Sequence, residues 1–245
     1  MMKRDLMKKT IITVLCLLAC VAALIPATDA YAYTLKLPTA VIRDIMDRKE
    51  KGLSVEPAED IIVQNPDLTR GRNCREGVII LGDSRTCYMA RFMGINENIE
   101  NYAAISCGGE GYGFLAGMAI PEAEKLEALY PDTNWKYVIA SGLNDMERVR
   151  DYGKLYRKLL ADGKDVYFMS INPIEEDKDI GFGYKNSTIV DFNRYMRKIV
   201  PQARYIDSYK NVRFVTVDGV HNDEATSRKL FEYIQKAVGV PAQNR

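Results

Sequence analysis

The chain has 245 residues, 47% of them hydrophobic and 27% charged, with 34 basic against 33 acidic side chains and a formal net charge of +1. That is enough chain for one sizeable core, in an ordinary globular composition. The balanced charge, with no basic stripe interleaved with aromatics, argues against nucleic acid or an anionic membrane surface as a partner.

Residues 1–30 stand apart from the rest. Lys3, Arg4, Lys8 and Lys9 precede an apolar run from Ile11 to Ile25, followed by small residues at Ala27, Ala30 and Ala32. This is the layout of a secretory signal peptide, and cleavage after Ala30 or Ala32 leaves a chain that begins near Tyr31 or Tyr33. Two other readings stay open. The run can remain as an uncleaved anchor, although it is short beside the roughly 20 apolar residues that a spanning helix needs. Leu17-Leu18-Ala19-Cys20 resembles a lipidation site, although the apolar run continues past Cys20. The expected location is secreted or tethered at the cell surface, with the N-terminal segment as the only contact with a membrane.

Residues 31–75 read as an N-terminal extension. In it Thr39 caps a helix over 39–50, whose Val41, Ile42, Ile45 and Met46 make one apolar face, before Pro57, Pro66 and Asp67 interrupt the pattern. Residues 76–245 then alternate strand-like and helix-like runs. The strands fall at 78–81, 99–104, 137–140, 166–171, 205–206 and 214–217, and the helices at 84–92, 114–130, 147–160, 188–200 and 224–238. Short, continuously apolar strands separated by helices predict one α/β domain with a doubly wound parallel sheet.

Five cysteines are present, two of them in the leader, so the domain keeps Cys74, Cys87 and Cys107. They read either as small buried thiols or as one disulfide with a free cysteine. With no C-x-x-C pair and a single histidine, no metal site of the usual zinc type is expected. No P-loop or dinucleotide fingerprint is present, and no cofactor is expected.

Ligands of doubly wound sheets bind beyond the carboxyl ends of the strands. After the first strand, Gly82-Asp83-Ser84-Arg85 places Ser84 at a helix start, a seat for a nucleophile or simply a helix cap. After the second, Cys107-Gly108-Gly109-Glu110-Gly111-Tyr112-Gly113 can turn backbone N–H groups toward a substrate oxygen, or is a flexible turn. The third is followed by Ser141-Gly142-Leu143-Asn144-Asp145, where the Asn144 amide can donate to an oxyanion or close a turn. Before the last helix, Asp218-Gly219-Val220-His221 sets a carboxylate three residues before the only histidine, within reach of one ring nitrogen while the other faces a serine, or the histidine is a surface or structural group.

In order and spacing these four fragments resemble the four blocks of the SGNH (GDSL-like) hydrolases, over roughly residues 78–237. The resemblance implies a three-layer, flavodoxin-like α/β fold and a serine esterase. It makes Ser84 the nucleophile, His221 the base and Asp218 its orienting carboxylate, with an oxyanion hole from the Ser84 and Gly109 N–H groups and the Asn144 amide. Gly108 is the alternative to Gly109. Two departures from the family pattern bear on substrate: Arg85 stands where Leu or Ile is usual, and Cys107-Gly108 surround the glycine. The substrate class implied is an ester, small or polymer-linked, with O-acetyl groups on carbohydrate or cell-wall polymers suggested by export. The same residues would serve an O-acyltransferase, and a binding protein on this scaffold is the third reading. No G-x-S-x-G elbow occurs, which argues against the α/β-hydrolase route to this chemistry.

Overall fold

The computed structural model describes residues 63–68, 71–178 and 183–244. The expected signal or anchor segment, the lipidation-like Cys20 and the helix over 39–50 lie outside the described residues. The sheet has six strands: β1 (Val63–Gln64), β2 (Glu76–Gly82), β3 (Tyr102–Cys107), β4 (Asn134–Ala140), β5 (Asp165–Met169) and β6 (Tyr205–Ile206). Their order is β1-β3-β2-β4-β5-β6. All pairs are parallel except β1 with β3.

β2 shows why these strands lack polar alternation. Val78 and Ile80 enter one core together with Met89 and Ala90 of α1 (Ser84–Met93), while Ile79 and Leu81 enter the other. All four β2 side chains have 0% exposure, so each face must be apolar. The second core also receives α2 (Ile120–Leu129), α3 (Val149–Ala161) and α4 (Asn186–Ile199). α5 (Glu224–Val238) returns to the first face through Leu230, Phe231, Ile234 and Val238. Those residues, like Tyr152, Leu155, Tyr156 and Leu159 of α3, recur at helical spacing, and each such buried side chain contributes about 1.5–3 kcal/mol. Helices thus cover both faces, giving three layers.

From β2 the chain steps to β3 on one side and then returns to β4 on the other, so the strand order reverses around β2. Gly82, the last residue of β2, is in register with Ser106 of β3 and Ala140 of β4. Three strands therefore end at one level at the switch point, where ligands of such sheets bind.

Several predicted elements are realised differently. The strand expected at 99–104 runs three residues later, because Ser106 and Cys107 are buried in the sheet while Ile99 bridges to Asn244 instead. The helix expected at 114–130 is interrupted by a π turn at Leu115–Ala119 just before Pro121, which has no N–H to continue the ladder. A 3-10 stretch, Leu143–Arg148, precedes α3. Residues 214–217 are not a sheet strand: Val215 and Val217 are 43% and 60% exposed, and only Thr216 makes a bridge, to Asn222. β1 falls in the segment read from sequence as an extension. Cys74, Cys87 and Cys107 are all free thiols, the last two buried.

Candidate active site

The turn after β2 is set by a close approach. A Cβ on Gly82 would fall on the Thr86 Oγ1 and 2.9 Å from the Ala140 carbonyl oxygen, so only glycine lets α1 start directly against β4. Asp83 caps the helix, accepting from the Arg85 N–H at 3.1 Å. Ser84 is the first residue of the helix. The capping and nucleophile readings of this fragment therefore belong to neighbouring side chains. Asp83 is 3% exposed, and burial pushes its carboxyl up, opposed by the Arg85 charge, the Arg85 and Leu143 backbone N–H groups and the His221 charge.

The segment before α5 folds back on itself, with the Val217 N–H donating to the His221 carbonyl at 2.8 Å and the Asp223 N–H to that of Val215 at 3.1 Å. This narrow loop carries Asp218 and His221 to α1. His221 Nε2 lies 2.9 Å from Ser84 Oγ, and Nδ1 lies 2.6 Å from Asp218 Oδ2. A carboxylate only accepts, so Nδ1 carries the proton and Nε2 presents its lone pair to the serine hydroxyl. Asp218 Oδ1 accepts from the backbone N–H groups of Val220 and His221, at 3.0 and 2.7 Å. The Tyr88 ring stacks on the imidazole with centroids 4.7 Å apart and planes at 20°.

Burial pushes the Asp218 carboxyl up, but hydrogen bonds from the His221 ring and N–H, the His221 charge and the Val220 N–H outweigh it and bring it from 3.8 to about 2. A depressed folded-state value means that the stabilisation is full above 3.8 and drains as pH falls through about 2. Urea midpoints measured down this window should therefore fall more steeply for the parent than for Asp218→Asn. Parallel slopes would rule out the linkage.

The other two candidate groups meet each other. Asn144 Nδ2 donates to the Glu110 carbonyl at 2.7 Å, next to Gly109, and Asn144 Oδ1 accepts from the Tyr184 hydroxyl at 2.8 Å. Gly142 makes the turn possible: its φ is +134°, and a Cβ there would sit 2.7 Å from Phe192 Cζ. Asp145, with φ −152° and ψ 52° inside the 3-10 stretch, accepts from the Tyr112 N–H and the Tyr152 hydroxyl, both at 2.7 Å. A Cβ on Gly111 would overlap its carboxylate. The loops after β3 and β4 are thus tied through Asn144 and Asp145. Glu110 is half-buried, and burial followed by the Asp145 charge raises its carboxyl.

Sequence reasoning gave Arg85 only a bearing on substrate, and Tyr88, Tyr184 and Asp145 no role. Arg85 is 6% exposed and donates from Nε to the Val220 carbonyl at 2.9 Å, from Nη1 to that of Asn172 at 2.7 Å and from Nη2 to that of Pro173 at 3.2 Å. The one sequence signal for it was an arginine at a position where the family pattern has an aliphatic residue.

No family model and no curated protein matches the sequence. Among solved structures, the chain is similar to a protein provisionally named an acylhydrolase, from Bacteroides fragilis, at 16% identity and a TM-score of 0.53, covering 71% of this chain and 89% of that one. It is similar to a protein provisionally named platelet activating factor, from Streptococcus pneumonia, at 16% identity and a TM-score of 0.51, covering 66% and 84%. An acetyl xylan esterase follows at 18% identity and a TM-score of 0.47, covering 66% and 99%. At these identities the likeness is one of architecture: the chain shares the three-layer α/β fold of the first two of these structures.

Proposed function

We propose that the protein is an exported serine esterase with Ser84 as nucleophile, His221 as general base and Asp218 as its orienting carboxylate. The observation that carries this reading is the continuous chain from Ser84 Oγ through His221 to Asp218, at 2.9 and 2.6 Å. His221 Nε2 takes the hydroxyl proton as Ser84 Oγ attacks the ester carbonyl. The imidazolium, stabilised by Asp218, returns the proton to the leaving alkoxide. Water, deprotonated by the same nitrogen, then releases the acid and restores Ser84. The oxyanion is assigned to the Ser84 and Gly109 N–H groups and to the Asn144 amide, which has a second N–H besides the one bonded to Glu110. Gly109, at φ +71°, is preferred to Gly108 because the Asn144 contact falls on the residue directly after it.

The leader pattern in residues 1–30 supports export, and export favours O-acetyl groups of carbohydrate or cell-wall polymers as substrate. The test is turnover of a short-chain chromogenic acetate, with acetate and chromophore both measured. Equal release of the two, first order in protein, is the expected result. If sugar acceptors capture the acetyl group in place of water, the protein is an O-acyltransferase. Folded protein with no turnover would instead favour a binding role.

A further inference from the structure

We propose that Arg85 is a positioning residue that sets the Ser84–His221 distance by clamping the peptide that carries His221 to the serine's own helix. Its effect on rate rests on the esterase reading above, whereas its effect on the imidazole does not. Arg85 follows Ser84 directly and spreads three N–H groups of one rigid plane over three backbone carbonyls in two loops. One acceptor is the Val220 carbonyl, which belongs to the same peptide group as the His221 N–H. That N–H donates to Asp218 Oδ1 at 2.7 Å. The Val220–His221 peptide is thus held at both edges, by the serine helix on one side and by Asp218 on the other. The guanidinium is fixed by three hydrogen bonds and the Val220–His221 peptide by two, so a shift of the guanidinium carries through that peptide to the 2.9 Å contact between Nε2 and Oγ.

The rest of the loop is anchored elsewhere. The Glu175 N–H donates to the Gly219 carbonyl at 2.9 Å, and the Glu175 carboxylate accepts from the Thr216 N–H at 2.9 Å and from its hydroxyl. Glu175 holds the start of the loop and Arg85 its end. The guanidinium is spent on carbonyls, and burying it is costly, with the Asp83 and Asp218 carboxylates offsetting part of that cost by their charge. An aliphatic side chain in its place would leave the Val220, Asn172 and Pro173 carbonyls without this donor.

The test compares Arg85→Met and Arg85→Lys with the parent by steady-state kinetics on the chromogenic acetate and by NMR of the imidazole. The chain has one histidine, so the ring signals need no assignment. Arg85→Met should lose about 10²-fold in kcat with KM within about threefold, the scale of a small misplacement of a reacting group, and should shift the ring signals and their titration. Arg85→Lys, which keeps the charge but loses the fork, should fall between the two. A folded Arg85→Met with parental kcat and an unchanged titration would overturn the proposal; if that variant does not fold, the same result from Arg85→Lys does so. A parent inactive on esters whose imidazole signals move in either variant would end the esterase reading and leave the positioning role standing. An active parent whose variants differ only in melting temperature would do the reverse.

Discussion

Ser84→Ala and His221→Ala should each lower ester turnover on the order of 10³-fold or more, and the double variant should fall no further than the worse single one. In the proposed mechanism Ser84 Oγ is the atom acylated, so removing it leaves nothing to carry the intermediate. Removing the general base is as damaging, because a hydroxyl with no imidazole 2.9 Å away stays protonated at neutral pH. No second histidine exists to substitute. The two losses do not add because both groups act in one step, the transfer of one proton as one bond forms. Rates for the single variants and the double variant, with circular dichroism to show retained folding, check this. A single variant within about tenfold of the parent would remove that residue from the mechanism.

Asp218→Asn should cost about 10³–10⁴-fold in kcat while leaving KM near the parental value. The reasoning comes from the two oxygens of this carboxylate. Oδ1 accepts from the Val220 and His221 backbone N–H groups and Oδ2 from the ring, at 2.6 Å. An amide has one accepting oxygen, and keeping both backbone bonds places it at the Oδ1 position. Its NH₂ group then faces Nδ1, which must accept, and the ring proton moves to Nε2. The histidine would then offer Ser84 a proton where a lone pair is needed. A pH–rate profile should show the loss persisting above the histidine titration, since raising the pH does not correct the tautomer. Activity near the parental level would mean that Asp218 only shapes the loop.

What was legible in the sequence follows from where information is local. The central strands could be read because both their faces are buried, which leaves short runs such as Val78 to Leu81 uniformly apolar. Asp83 and the turn glycines carry local chemistry, so the block boundaries were visible as well. Ser84 and His221 are 137 residues apart, and no periodicity relates them; they were paired by motif, and their contact depends on the sheet order and on the shared level at which β2, β3 and β4 end. Less legible were features that a tertiary contact decides. Residues 214–217 alternate like a strand, yet Val215 and Val217 face solvent while the chain turns back to deliver Asp218 and His221. Asp145 looked like turn chemistry, and its acceptance from Tyr112 and Tyr152 involves partners on other elements. Arg85 could be noticed but not understood, since its acceptors are all main-chain carbonyls and carry no residue-type signal.

The two-residue strand β1 bears on how the protein behaves in company with its own copies. Val63 and Gln64 pair with Cys107 and Ser106, at the carboxyl end of the outermost parallel strand on that side. A chain that began at residue 76 would keep the four central loops of the site but leave this stretch of β3 as an open edge, ready to recruit a strand from another molecule. The antiparallel strand acts as a guard against such edge-to-edge growth, and it does so on the strand that leads straight into the Gly108–Gly111 loop. Solubility and the shape of that loop are therefore tied to the same few backbone hydrogen bonds, and a protein trimmed for convenience would put both at risk together.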